Sequence, residues 1–167
     1  MVKLSEHLRR TGVFSTEEVN RVMPPTDVLE KGPVAVIECI QEIPCDPCHA
    51  SCPFGAIKEF KDINDIPEID WGKCTGCTLC VAKCPGLAIF VVDASCDGDE
   101  ALLKLPYEFY PVPERGEEVE LLNRAGEVVG RGKVRSVIEP HKDGTKVVTV
   151  HVPKDMIADV RHVRVVR

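Results

Sequence analysis

The chain has 167 residues, 44% hydrophobic and 29% charged, with a formal net charge of −6 and nine cysteines. No stretch reaches the roughly 18 apolar residues of a membrane helix, and the first ten residues lack the apolar run of a secretory signal. The expectation is therefore a cytoplasmic chain without a membrane span. In such a reducing compartment, clustered cysteines are metal ligands more often than disulfides, and nine would leave one unpaired. The acidity is uneven: residues 1–98 hold 9 Lys/Arg against 15 Asp/Glu, whereas residues 99–167 hold 12 of each. An acidic cysteine-bearing part argues against a nucleic-acid face. It suits a basic patch on a protein partner, or is simply a solvated surface.

Residues 1–32 read as a short helical lead-in, too small to be a domain. Ser15-Thr16-Glu17-Glu18 matches a capping box, and the helix it opens should stop before Pro24-Pro25. Residues 33–98 carry all nine cysteines and an internal repeat: Cys52-Pro53-Phe54-Gly55-Ala56-Ile57 echoes Cys84-Pro85-Gly86-Leu87-Ala88-Ile89 at an offset of 32. Cys45 and Cys48 map onto Cys77 and Cys80 at the same offset. Each half begins with an extended run, Val34 to Ile37 and Ile66 to Trp71, and ends in an apolar run. The repeat points to a pseudo-two-fold unit with a duplicated site. Residues 99–167, taken as a small β domain, hold no cysteine, and residues 106–167 read as all-β. Strands are expected over Glu118 to Leu122, Glu127 to Val129, Lys133 to Ile138, Lys146 to Val152 and Val160 to Val166. Gly130 and Gly132 suggest a bulge or bend, Asp143-Gly144 a hairpin turn, and Lys154 to Asp159 a helical turn. So short a sheet protects its edges best by closing, which predicts a small SH3-like barrel. The charges of Arg161, His162, Arg164 and Arg167 are expected to be solvated, with Val163 and Val165 inward.

The cysteines carry the chemistry. Cys74-x2-Cys77-x2-Cys80-x3-Cys84-Pro85 puts three thiolates on one tight loop, able to reach three corners of an iron–sulfur cube. Gly76 lets the backbone approach closely and take positive φ. Cys39-x5-Cys45-x2-Cys48-x3-Cys52-Pro53 matches the same spacing except for a longer first gap. If that loop carries Cys39 away, a three-iron centre results, or Asp46 or His49 substitutes. Both residues otherwise read as a turn residue and a solvent-facing loop residue. Zinc would need only four ligands, such as Cys45, Cys48, Cys74 and Cys77, but does not demand the third and fourth cysteines or the prolines. Cys96 reads as a spare thiol at a domain junction, Trp71 as core packing, and no phosphate-loop motif occurs.

At these residues the chain resembles the bacterial-type dicluster ferredoxin domain, over roughly Gly32 to Val92. The resemblance implies an α+β fold with two 4Fe–4S clusters between pseudo-symmetric halves. Cross-ligation then assigns Cys39, Cys45, Cys48 and Cys84 to cluster I, possible as 3Fe–4S, and Cys52, Cys74, Cys77 and Cys80 to cluster II. The whole layout, with its Glu38-Cys39 to Cys48 loop and β tail, is similar to the small iron–sulfur subunits of flavin-dependent proline- and hydroxyproline-type dehydrogenase complexes of anaerobes. That implies a non-catalytic electron-transfer subunit in a hetero-oligomer with a flavin-containing oxidoreductase, the β domain serving for docking. The alternatives are a freely diffusing ferredoxin with an appended β domain, and a metal-stabilised SH3-like binding module.

Overall fold

A computed structural model describes residues 5–142 and 144–166. Asp143 of the expected hairpin turn and Arg167 of the basic C-terminal end lie outside the described residues.

Three short helices open the chain: α1 (Glu6–Thr11), α2 (Thr16–Val22) and α3 (Thr26–Leu29). The capping box at α2 forms as the sequence indicates. The Ser15 side chain accepts from the Glu18 N–H, and the Glu18 carboxylate accepts from the Ser15 N–H at 2.8 Å. The helix ends at Val22, ahead of the two prolines. Strand β1 (Val34–Ile37) follows, then the first cysteine loop with α4 (Pro47–Ala50). The second cysteine loop leads through α5 (Leu79–Lys83) into β2 (Ile89–Asp93). The remaining strands are β3 (Glu100–Tyr107), β4 (Glu118–Leu122), β5 (Val128–Ile138), β6 (Lys146–Pro153) and β7 (His162–Val165), with one 3-10 turn at Lys154–Met156 before β7.

All seven strands join one antiparallel sheet in the order β1-β2-β3-β6-β5-β4-β7. The sheet is open, with β1 and β7 at its ends, so the closed SH3-like barrel expected from the sequence is corrected. The edges are managed another way: the sheet runs on from the cysteine-bearing segment, where β2 pairs with β3 across the boundary expected at residue 98.

The alternation of side chains along a strand, period two, divides the interior into two cores. One face of β1 and β2 sends Val34, Val36, Phe90 and Val92 into a core shared with Leu103, Leu105, Leu121 and Val150. The other face sends Ala35, Ile37, Ile89 and Val91 into a second core with Ile57, Val81 and Cys48 and Cys80. Strand β6 is buried on both faces, Val148 and Val150 on the first core and Val147 on the second.

Other expectations change as well. Strand β3 was invisible in the sequence: Ala101-Leu102-Leu103-Lys104-Leu105 is rich in helix formers and is followed by Pro106. Its pairing with β6 over eight residues overrides that local preference. Gly130 and Gly132 lie within the continuous β5. Two bulges distort it: Val129, next to Gly130, is the extra residue opposite Leu121 and Leu122, as that glycine suggested, and Arg135 is the extra residue opposite Val150 and Thr149. Gly132 is needed for closeness, because a Cβ there would stand 2.5 Å from the His151 carbonyl and 2.9 Å from Leu121 Cδ2. Of the extended run Ile66 to Trp71, only Ile69 forms a bridge, with Ile57.

Candidate metal centre

The sheet face bearing Ala35 and Val91 is where the cysteines gather. The second group surrounds a recess lined by Cys52, Cys74, Cys77 and Cys80, with apolar walls from Ala35, Ile57, Ile69 and Val91. It encloses about 340 Å³ of atom-free space, part of it open to solvent. Cys80 is buried and Cys77 is exposed, so the recess has an inner and an outer wall. The local backbone explains its shape. Gly76 has φ +60°, and a Cβ there would lie 2.6 Å from Pro33 Cβ, so the loop folds tightly under β1 only with glycine at this position. Thr78 also adopts a left-handed φ of 71°, where a side chain costs strain. Its Oγ1 is buried and, among the described residues, is the side-chain oxygen left without a hydrogen-bond partner. Lys104 on β3 donates to the Gly76 carbonyl at 3.0 Å, bringing a cation to this loop.

The first group is Cys39, Cys45, Cys48 and Cys84. Their charges reach one another: Cys84 and Cys45 raise the Cys39 thiol after burial does, and Cys84 raises Cys45 in the same way, with Asp46 behind it. Burial, more than the nearby thiols, pushes Cys48 up to about 11, against a backbone N–H from His49. In the second group burial pushes Cys80 up to about 12, followed by the charges of Cys74, Cys77 and Cys52, and more weakly by Cys48. The two groups are therefore neighbours. Thiols held so high ionise only when a metal displaces their protons.

Backbone N–H groups already aim at these sulfurs. Ala35 donates to Cys74 Sγ at 3.3 Å and Ala88 to Cys84 Sγ at 3.4 Å, while Gln41 and His49 N–H groups support Cys39 and Cys48. Among the described residues, no three His, Cys, Asp or Glu side chains converge on a point that one metal ion could occupy. A single zinc would need its sulfurs at about 2.3 Å. Thiols spread around a recess, with N–H donors and an orphaned hydroxyl beside them, are a donor set that fits an iron–sulfur cube.

His49 is not solvent-facing: it sits in α4, its Nδ1 lies 3.0 Å from the Ile57 carbonyl, and its ring stacks on Phe60. Asp46 precedes α4 without capping it. Trp71 packs on the first core and donates through Nε1 to the Ala35 carbonyl at 3.1 Å. Cys96 lies between β2 and β3, and its carbonyl accepts from Lys154 Nζ at 2.8 Å. Arg161 corrects the expectation of solvated charge, since its side chain is only 10% exposed and lies against Phe90, 4.1 Å from the ring centroid. His162 is half-buried and stacks on Tyr107 at 5.4 Å. What sequence reading missed is an ion-paired cluster of Glu38, Arg124 and Arg161, joining residues up to 123 positions apart.

Comparison with known proteins agrees with this donor set. Residues 67–90 match the 4Fe–4S binding domain family, and they include Cys74, Cys77, Cys80 and Cys84. The chain is 43% identical over 47 residues to the pyruvate synthase subunit PorD of Methanocaldococcus jannaschii, covering 28% of this chain and 52% of that one. It is 46% identical over 39 residues to the thiosulfate reductase electron transfer subunit PhsB of Salmonella typhi, covering 23% and 19%. It is 49% identical over 49 residues to a subunit of the ion-translocating oxidoreductase complex of Methanosarcina acetivorans, covering 28% and 17%. The chain thus spans between about a sixth and about half of the curated relatives it matches. No solved structure matches. Among the described residues no helix is long and apolar enough to cross a membrane. The match over residues 67–90 indicates 4Fe–4S cluster binding in this part of the chain.

Proposed function

We propose that this chain is an electron-transfer subunit carrying two 4Fe–4S clusters, one held by Cys39, Cys45, Cys48 and Cys84 and one by Cys52, Cys74, Cys77 and Cys80. The observation that carries the reading is the sorting of eight thiols into two adjoining sets of four, each drawing on both cysteine loops. Bound clusters would supply one-electron redox chemistry. The chain's own residues hold, orient and shield. Ala35, Ala88, Gln41 and His49 N–H groups direct partial positive charge at the sulfurs, which favours anionic thiolates. Ile57, Val81, Ile89 and Val91 keep water from the inner side. Cys77 lies at the surface, so the second group is where an electron would enter or leave most directly.

The partner we infer is a flavin-containing oxidoreductase subunit, in a cytoplasmic hetero-oligomer. Two features support a docked subunit over a freely diffusing ferredoxin. The relatives' names describe subunits of larger enzymes. The β-region also exposes Phe109 at 59% and Tyr110 at 87%, rings that water solvates poorly and a partner would cover. Affinity purification of the tagged chain from its native cells, without oxygen, tests this. Co-elution of a flavin-bearing polypeptide in fixed ratio is the expected result. Exclusive recovery of the monomer would overturn the complex and favour the diffusing carrier.

A further inference from the structure

Glu38 stands between the end of β1 and Cys39, and its side chain is only 7% exposed. Two arginines from the far end of the chain close on it. Arg161 Nε donates to Glu38 Oε2 at 2.9 Å, and Arg124 Nε donates to Oε1 at 3.1 Å, with Arg124 Nη2 closer still on the same oxygen. Both arginine side chains are nine-tenths buried or more. Arg161 Nη2 also donates to the Leu87 carbonyl at 3.3 Å, three residues past Cys84. The group therefore touches the backbone beside two thiols of the first set. One carboxylate against two guanidiniums leaves one net positive charge, and it is buried where solvent screens poorly. Burial lowers the Arg161 pKa, with Glu38 opposing that; a guanidinium keeps its proton regardless.

We propose that the Arg124–Glu38–Arg161 triad raises the reduction potential of the cluster held by Cys39, Cys45, Cys48 and Cys84. This rests on the two-cluster reading above. Reduction transfers one electron from an external donor to that cluster, with no bond made or broken in the chain, and makes the cluster with its thiolates one unit more negative. A fixed positive charge favours that more negative state. The triad is thus an electrostatic group that makes the first cluster easier to reduce than it would be without it. Lys104, on β3, brings a single cation to the Gly76 carbonyl of the second loop, so the two loops are served by different groups.

The test is an anaerobic redox titration of the full cluster-loaded chain, each cluster's midpoint followed by EPR. Cys77→Ser identifies the second cluster's signal by removing it. Arg161→Gln should lower the midpoint of the first cluster and leave the second in place. Glu38→Gln should raise it, because the net charge grows, and Arg161→Lys should stay near the parent. If Glu38→Gln does not take up iron, Arg124→Gln replaces it and should lower the midpoint as Arg161→Gln does. A merely structural clamp would move Arg161→Gln and Glu38→Gln in the same direction, or both clusters equally. Either result, or no shift in any variant, overturns the proposal. Iron content far below two clusters in the parent chain would instead overturn the reading beneath it.

Discussion

The cysteine loops and the sheet from β3 to β7 are held together by different means. The sheet rests on apolar burial: Leu103, Leu105, Leu121 and Val150 are fully buried, and β3 and β6 pair over eight residues. The loops have only α4 and α5, of four and five residues, and their regular hydrogen bonds are few. Their buried groups include the Cys48 and Cys80 thiols and a threonine hydroxyl without a partner. A region so built keeps free energy in reserve for the metal, because binding supplies the cohesion that its own packing lacks. The difference teaches that folding and loading are separable in the sheet and coupled in the loops.

The largest expected effect breaks the comparison at the loops. Cys80→Ser removes the most deeply buried thiol of the second set, and the purified chain should lose about half of its iron. Far-UV circular dichroism should show the sheet's β signal retained, while hydrogen exchange should show the loops alone losing protection. Equal loss of protection in β3 and β6 would end the distinction.

A second substitution works from the other side. Leu121→Ala, at a position with no exposure, should cost about 2–5 kcal/mol in denaturant unfolding, with iron per folded chain unchanged. Gly132→Ala should cost about 1–3 kcal/mol, because its methyl would meet the His151 carbonyl in the neighbouring strand. Neither should move the iron content if the sheet folds independently of loading.

The smallest effect is a pH dependence in the sheet. Burial lowers the His162 pKa, and the adjacent Arg161 charge lowers it further. A histidine depressed in the folded state binds fewer protons there than in the unfolded chain. Stability is then complete above the ordinary value of about 6.5 and declines as pH falls below it. The rings against His162 are Tyr107 and Phe109, the charge that lowers its pKa is that of Arg161, and Glu38 and Arg124 line the same cavity. His162→Gln should flatten this acid slope in thermal melts between pH 7 and pH 5, and an unchanged slope would assign it elsewhere.

How much of this was legible in the sequence follows the same division. The cysteine spacing named the chemistry because four thiols on tight loops leave little freedom in what they bind. The assignment of eight cysteines to two sets of four came from the resemblance to dicluster ferredoxin domains, with the repeat at offset 32 beside it. The sheet was less legible. Strand β3 hid behind leucines and a proline, and its place beside β6 depends on contacts about 50 residues away. Arg161 looked like a solvated charge because alternation says which way a side chain points, not what lies opposite it. Only the return of the C-terminal segment to Leu122, through the Arg161 N–H at 2.8 Å, carries that side chain to Glu38.

The central claim is two clusters on eight thiols. Iron and acid-labile sulfide should be assayed in anaerobically purified chain, with EPR after dithionite reduction. The account expects about eight irons and eight sulfides per chain, with two magnetically interacting reduced centres. About four irons with one isolated signal, or zinc with none, would contradict it.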